Sequence, residues 1–127
     1  MNVAVLSLGS NSPDKEQQMR NAVKQMKHLF NSVAISDFYE VPAFNGKDAP
    51  YLNAVMVVST AMSINDVNLL LKRWEVKCGR TPESKQKGIV PIDLDIVMWN
   101  SEVIRPVDYS RSYVSIGIAQ LLAELVK

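Results

Sequence analysis

The spacing of apolar residues changes between two periods along the chain, and the order of these changes restricts the fold. Helical spacing and period-two alternation follow one another in a defined order. The predicted elements are a strand at 3–8, a helix at 13–30, a strand at 33–39, a strand at 51–60, a helix at 64–78 and a strand at 91–99. This order is the split βαβ of ferredoxin-like α+β domains, βαββαβ, a mostly antiparallel sheet with helices packed on one side. Because that fold hosts many functions, function must be inferred from the site.

The segments between these elements are predicted to be loops. Residues 41–50 hold two prolines and a glycine, and residues 80–90 are polar and are expected to form an exposed, mobile loop. Glu102 to Ile104 is a candidate short strand. Ser115 is a candidate N-cap of a last helix with inward-facing Ile118, Leu121, Leu122 and Leu125.

Composition predicts one domain, residues 1–127, without a strong charge. Fourteen Lys and Arg face thirteen Asp and Glu, a formal charge of +1, so no global field recruits nucleic acid or a membrane surface. The start lacks a signal-type segment, and the single cysteine, Cys78, agrees with a reducing compartment. We expect a cytoplasmic protein, a monomer or weak homodimer, without nucleic-acid or membrane partners.

Two carboxylates, Asp93 and Asp95, lie on one face of the strand predicted at 91–99. Asp is a poor strand former, and two like charges on one face oppose each other's ionisation unless a cation compensates them. Magnesium prefers carboxylate and phosphate oxygens, so a magnesium–phosphate site is one interpretation. A solvated sheet face with ordinary surface acids is the other.

Short motifs in a defined order resemble the 6-hydroxymethyl-7,8-dihydropterin pyrophosphokinase family. They are Gly9-Ser10-Asn11, Phe38-Tyr39-Glu40, Tyr51-Leu52-Asn53-Ala54, Glu75 with Gly79-Arg80, and Ile92-Asp93-Leu94-Asp95-Ile96. The resemblance covers residues 1–104 and implies transfer of pyrophosphate from ATP to the hydroxymethyl group of a reduced pterin in folate biosynthesis.

The resemblance also implies roles for individual residues. Asp93 and Asp95 would bind two magnesium ions and, with Arg80, carry the catalysis. The pterin would be bound by aromatic and amide side chains, namely Phe44, Tyr51, Asn53 and Tyr113. The nucleotide would be bound by charged side chains, namely Glu75, Arg80, Lys85, Lys87 and Arg111.

The chain departs from the family pattern on the nucleotide side. Val90 stands where the family usually has a phosphate-binding arginine, and a Pro-His element is absent, since His28 in the first helix is the only histidine. Two hypotheses remain open: an active pyrophosphokinase whose missing cations come from Lys85, Lys87, Arg105 or Arg111, and a weak or inactive relative that binds a pterin or nucleotide. A ferredoxin-like RNA-binding domain is disfavoured, because its strands would need exposed aromatics in a basic signature.

Overall fold

The computed structural model describes residues 1–105 and 112–125, and the side chains of 1–105 and 114–121. The strands are β1 (Asn2–Ser10), β2 (Asn31–Ile35), β3 (Tyr39–Val41), β4 (Tyr51–Thr60), β5 (Asp93–Trp99) and β6 (Glu102–Val103). The helices are α1 (Lys15–Leu29), α2 (Ile64–Lys77), α3 (Pro82–Gln86) and α4 (Ser112–Leu125).

The strands form an antiparallel sheet in the order β2-β4-β1-β5-β6, with β3 also paired to β4. The second predicted strand is divided into β2 and β3. Between them, Ser36 accepts a hydrogen bond through Oγ from the backbone N–H of Val55 at 2.9 Å, a side-chain substitute for a regular ladder contact. The βαββαβ order is confirmed, and with it the ferredoxin-like class.

The main core lies between the sheet and the two helices of this pattern, α1 and α2. The apolar stripe of each helix faces the same side of the sheet, as the helical spacing predicts. Its fully buried members include Leu6, Leu8, Met19, Met26, Met56, Val67, Leu71, Ile92 and Leu94.

The fourth helix, α4, lies on the opposite face of the sheet. Val114 and Leu121 pack against Val55 and Val97 in a smaller core. Gly117 allows the close approach, because a Cβ there would stand 2.6 Å from Cγ2 of Val55. The helix begins at Ser112 rather than at the predicted cap Ser115, and the side chains of Leu122 and Leu125 lie outside the described residues.

The alternation predicted for β5 fails at its end. Leu6 of β1 pairs with Ile96 and Val5 pairs with Met98, so Val97 is an extra residue in a β-bulge. Trp99 therefore packs into the helix-side core and Met98 into the opposite one, whereas strict alternation from Asp93 and Leu94 would put Trp99 on the Asp93 face and Met98 on the helix side.

The predicted 80–90 loop contains the short helix α3. Thr81 and Ser84 form a capping box around Pro82. Asn11, directly after β1, binds the residues that follow α3. Its Nδ2 donates to Gly88 O at 2.8 Å, and its Oδ1 accepts from Val90 N at 2.6 Å. The loop prediction is therefore wrong for residues 82–86. In the described part of the chain, no helix has the length and apolar character needed to cross a membrane.

Candidate active site

The pairing register of the strands brings the predicted site residues of β4 and β5 together, at one end of the sheet face that carries α4. Gly9 of β1 pairs with Asn53 of β4 on one side and with Asp93 of β5 on the other. Tyr39 of β3 pairs with Asn53, which extends the same row across the sheet. The neighbouring row contains Asp95, opposite Ser7. Residues distant in sequence thus share one surface because their strands are adjacent.

A cavity of about 280 Å³ opens beside this row. Its wall opposite the sheet is the connection between β3 and β4, where Phe44 is 71% exposed. The predicted residues Phe44, Tyr51, Asn53 and Asp93 all line it, which agrees with their proposed grouping. The remaining lining residues are Ser7, Leu8, Gly9, Val41, Pro42, Ala43, Asn45 and Asp48.

Gly9 makes room for the Asn53 amide at the base of this cavity. A Cβ at Gly9 would lie 2.6 Å from Oδ1 of Asn53, closer than packed atoms tolerate. Asn53 is only 4% exposed, and its Nδ2 donates to the carbonyl of Tyr51 at 3.3 Å. The glycine between two strands therefore permits a buried amide to lie across the sheet surface.

The cavity wall is held by a local turn that the sequence analysis did not single out. Oδ1 of Asn45 accepts from the backbone N–H groups of Lys47 and Asp48 at 2.9 and 3.0 Å, and its Nδ2 donates to Asp48 at 2.8 Å. Such Asx turns need a short polar side chain followed by flexible residues. The Asn45-Gly46 pair carries that signal, and Gly46 has a positive φ of 66°.

Each of the paired carboxylates contacts cationic side chains. Asp93 accepts from Nη1 of Arg80 at 2.8 Å. Asp95 accepts from Nζ of Lys72 at 3.2 Å and lies 3.8 Å from Nη1 of Arg105. These cations supply part of the compensation expected of a metal ion, which also allows a purely structural role for the pair.

Glu75 links these groups from α2. Its carboxylate is buried and accepts a hydrogen bond at 2.8 Å from the backbone N–H of Leu94. This N–H group lies at the edge of β5. It also pairs with Nζ of Lys72 at 3.1 Å and with Nη1 of Arg80 at 3.1 Å. Glu75 thus anchors the helix to the strand and positions two cations beside Asp93 and Asp95.

The electrostatics differ between the two partners of the Lys72–Asp95 pair. Burial and the charge of Asp93 raise the pKa of Asp95 above its ordinary value, against the opposing effect of Lys72 and Arg105. Burial lowers the pKa of Lys72, but Asp95 and Glu75 raise it by more than burial lowers it, so the net shift is upward. Burial and a neighbouring carboxylate thus raise the pKa of Asp95, and two carboxylates raise the pKa of Lys72.

Tyr51 is held in its neutral form. Burial, with the charges of Asp93 and Asp48, raises the pKa of its phenol above the ordinary value. A neutral aromatic ring at the cavity wall can stack on a flat heterocycle.

The other predicted residues differ in how the structure places them. Lys85 and Lys87 lie exposed on α3 and at its end, and neither forms an ion pair with the carboxylates; their assignment to the nucleotide stays a prediction. Arg111 and the side chain of Tyr113 lie outside the described residues. Sequence reasoning missed Lys72, although it stands one helical turn before Glu75 on the same face of α2.

The donor set of Asp93 and Asp95 fits magnesium brought by a nucleotide. In the part of the chain that the structure describes, no group of three or more His, Cys, Asp or Glu residues could hold a metal. Magnesium commonly takes one or two carboxylates together with phosphate oxygens and water. Two carboxylates beside a pocket are therefore adequate for that ion and poorly suited to a permanently bound metal.

The fold and the site define a class: a ferredoxin-like domain with a small-molecule pocket next to a paired-carboxylate centre. Comparisons with known proteins give the family. The family model of 7,8-dihydro-6-hydroxymethylpterin-pyrophosphokinase matches residues 5–123. The chain belongs to this family, and the predicted pyrophosphokinase resemblance is confirmed.

Named relatives extend over most of the chain. A 2-amino-4-hydroxy-6-hydroxymethyldihydropteridine pyrophosphokinase of Bacillus subtilis is 31% identical over 98% of this chain and 78% of its own length. The enzyme of the same name from Haemophilus influenzae is 28% identical over 99% of this chain and 85% of its own length. The folic acid synthesis protein fol1 of Schizosaccharomyces pombe is 37% identical over 76% of this chain, but only 14% of its own length.

Proposed function

We propose that this chain catalyses the magnesium-dependent transfer of pyrophosphate from ATP to 6-hydroxymethyl-7,8-dihydropterin, a step of folate biosynthesis. Family membership supports the reaction class. The observation that carries the assignment to this site is the cross-strand row in which Gly9 joins Asn53 of the pocket to Asp93 of the carboxylate pair. A substrate in the pocket would thus lie next to the groups that handle phosphate.

The pocket suits a reduced pterin in size and chemistry. Its volume of about 280 Å³ lies near the lower end of the roughly 300–1,000 Å³ of small-molecule sites. Tyr51 and Phe44 offer aromatic surface, and the Asn53 amide can both donate to and accept from the polar edge of a heterocycle. These three side chains would orient the hydroxymethyl group toward Asp93.

In the transfer, the hydroxyl oxygen of the pterin forms a bond to the β-phosphorus of ATP and loses its proton. The bond from that phosphorus to the oxygen shared with the α-phosphate breaks, so AMP leaves and both terminal phosphates move to the pterin. Such transfers need alignment and charge neutralisation rather than covalent help from the protein.

The residues of this chain would contribute position and charge. Asp93 and Asp95 would hold magnesium, which neutralises phosphate charge and aligns the reacting oxygens when it is bound. Arg80 is fixed by Glu75 and Asp93 at 3.1 and 2.8 Å, so its guanidinium would be preorganised for phosphate oxygens that magnesium brings to Asp93.

A second candidate is a module that binds a pterin or nucleotide without turnover. The contacts of Arg80, Lys72 and Arg105 favour it, because they compensate Asp93 and Asp95 without any metal. The enzyme is the better-supported proposal, because relatives named as pyrophosphokinases match nearly the whole chain.

AMP formation from MgATP and the hydroxymethyl-dihydropterin distinguishes the two. Wild type should release AMP, and Asp95→Asn should lose on the order of 100-fold or more of the rate, the typical effect of removing one preorganised electrostatic group. Asp66→Asn on α2 is the matched control, since this exposed carboxylate lies outside both the pocket and the ion pairs, and it should keep the wild-type rate. Pterin binding without AMP formation would support the module, and failure to bind either ligand would contradict both proposals.

A further inference from the structure

The ammonium group of Lys72 contacts three acceptors at the edge of β5. It donates to the carbonyl of Leu94 at 2.9 Å, to Oε2 of Glu75 at 3.1 Å and to Oδ1 of Asp95 at 3.2 Å. An ammonium group has three N–H donors, so these acceptors use all of them. The role of Lys72 depends on which of the three contacts can be exchanged.

Two of the contacts belong to the framework. Oε2 of Glu75 also accepts from the backbone N–H of Leu94 at 2.8 Å, so Lys72, Glu75 and Leu94 form a closed unit that docks α2 on β5. Loss of the contact with the Leu94 carbonyl would leave this polar group of the strand edge without the partner that Lys72 supplies. The ammonium is therefore held in place even when its third donor is released.

The third contact is with Asp95, which the proposed function assigns to a cation that arrives with the nucleotide. Once that oxygen is taken by another cation, the third N–H of Lys72 needs a new acceptor. A phosphate oxygen is the acceptor that arrives at the same time.

The Lys72 side chain is accessible from solvent. Lys72 is 41% exposed at its side chain and lines a cavity of about 330 Å³ together with Asp95 and Arg105. The other residues that line this cavity are Ile64, Asn65, Asn68, Ile96 and Ile104.

The charge balance of the ion-pair cluster also favours Lys72 as a partner of an anionic ligand. In this cluster, the described ion pairs join three carboxylates, Glu75, Asp93 and Asp95, to three cations, Lys72, Arg80 and Arg105. Without Lys72 the cluster would carry a net negative charge at the place where the phosphates must bind. Like charges at short range oppose binding.

We infer that Lys72 is a phosphate-binding residue that exchanges its contact with Asp95 for a non-bridging oxygen of the β- or γ-phosphate of the nucleotide. This inference rests on the proposed function. It gives Lys72 the role of the phosphate-binding arginine that the family usually has at the position of Val90. Lys72 holds Asp95 in place before the nucleotide binds, and afterwards it donates a hydrogen bond to the phosphate chain.

Calorimetric titration of the whole protein tests this assignment separately from turnover. The ligands are AMP and an ATP analogue whose α–β bridging oxygen is replaced by methylene, each with magnesium. Lys72→Met should weaken binding of the analogue by about tenfold or more, the usual effect of losing a charge-assisted hydrogen bond, and should leave AMP affinity at its wild-type value. Lys72→Arg keeps the charge and should retain more of the analogue affinity than Lys72→Met.

Lys24→Met is the matched control, since Lys24 is an exposed cation on α1 outside the ion pairs, and it should leave both affinities unchanged. Thermal unfolding of each variant, run in parallel, checks that Lys72→Met, which also removes the contacts with Glu75 and Leu94, still folds. Equal analogue affinity in Lys72→Met and wild type, or an equal loss for AMP, would overturn the inference. If wild type forms AMP while Lys72→Met binds the analogue normally, only the role of Lys72 fails; if wild type binds neither the analogue nor the pterin, the proposed function fails with it.

Discussion

At the scale of single residues, the site depends on pairs of side chains whose partners are distant in sequence. Period-two alternation is sufficient to predict that Asp93 and Asp95 lie on one face of their strand. The same alternation puts Tyr51 and Asn53 on one face of the strand at 51–60. It could not predict Lys72, because that contact exists only where α2 crosses the edge of β5. A cation on a helix is ordinarily a solvated surface group, and its sequence carries no sign of the strand edge beside it.

Gly9→Ala tests the fit between β1 and the Asn53 amide. The added Cβ would displace the amide, because it would stand 2.6 Å from Oδ1. We expect a loss of about 1–3 kcal/mol in the free energy of unfolding, as for other overpacked sites, and pterin binding weaker by about fivefold to tenfold, equivalent to one lost hydrogen bond.

The two ligands provide the internal control for this substitution. Nucleotide affinity should fall less than pterin affinity, because the added Cβ would meet the Asn53 amide, whereas Lys72 and Asp95 line a separate cavity. Unchanged pterin affinity in a folded Gly9→Ala protein would contradict the assignment of Asn53 to the pterin.

At the scale of elements, the long periodic segments were predicted, as was the short strand at 102–104, which is observed as β6, whereas the short helix α3 and the bulge in β5 were not. The helix at 64–78 and the strand at 51–60 are observed as α2 and β4. The Thr81-Pro82 pair is a helix start, but a single capped turn inside a polar segment has no apolar stripe to reveal it. The bulge at Val97 was hidden because it depends on how β1 pairs with β5.

Tyr39→Phe tests how α4 is held on the sheet. The Tyr39 hydroxyl accepts from the backbone N–H of Gly117 at 3.2 Å, so its removal should lower the free energy of unfolding by about 1 kcal/mol. The measurement is denaturant unfolding at neutral pH.

The same substitution should change the alkaline limb of the stability profile. Burial raises the pKa of Tyr39 from 10.0 to about 12, so the folded state keeps this proton after the unfolded state has released it. Between these two pH values the unfolded state binds fewer protons, and the free energy of unfolding contributed by this group falls as pH rises. The difference between wild type and Tyr39→Phe should therefore shrink across this window; a constant difference would contradict the burial of this phenol.

At the scale of the whole molecule, the two faces of one sheet have different tasks. The face under α1 and α2 carries the main core, which the apolar periodicity predicted. The other face is covered by α4 over Val55 and Val97 and is open at the row of Gly9, where the pocket lies. The side of the sheet that α4 occupies was not predictable, because its stripe of apolar residues fits either face.

The proposed reaction moves both terminal phosphates of ATP together to the pterin. ATP labelled at the β- and γ-phosphorus, supplied with magnesium and 6-hydroxymethyl-7,8-dihydropterin, tests it most directly. We predict that both labels appear on the pterin in equal amounts and that unlabelled AMP forms in the same quantity. Labelled ADP as the nucleotide product, or both labels remaining on ATP while the pterin is bound, would contradict the proposed transfer of pyrophosphate.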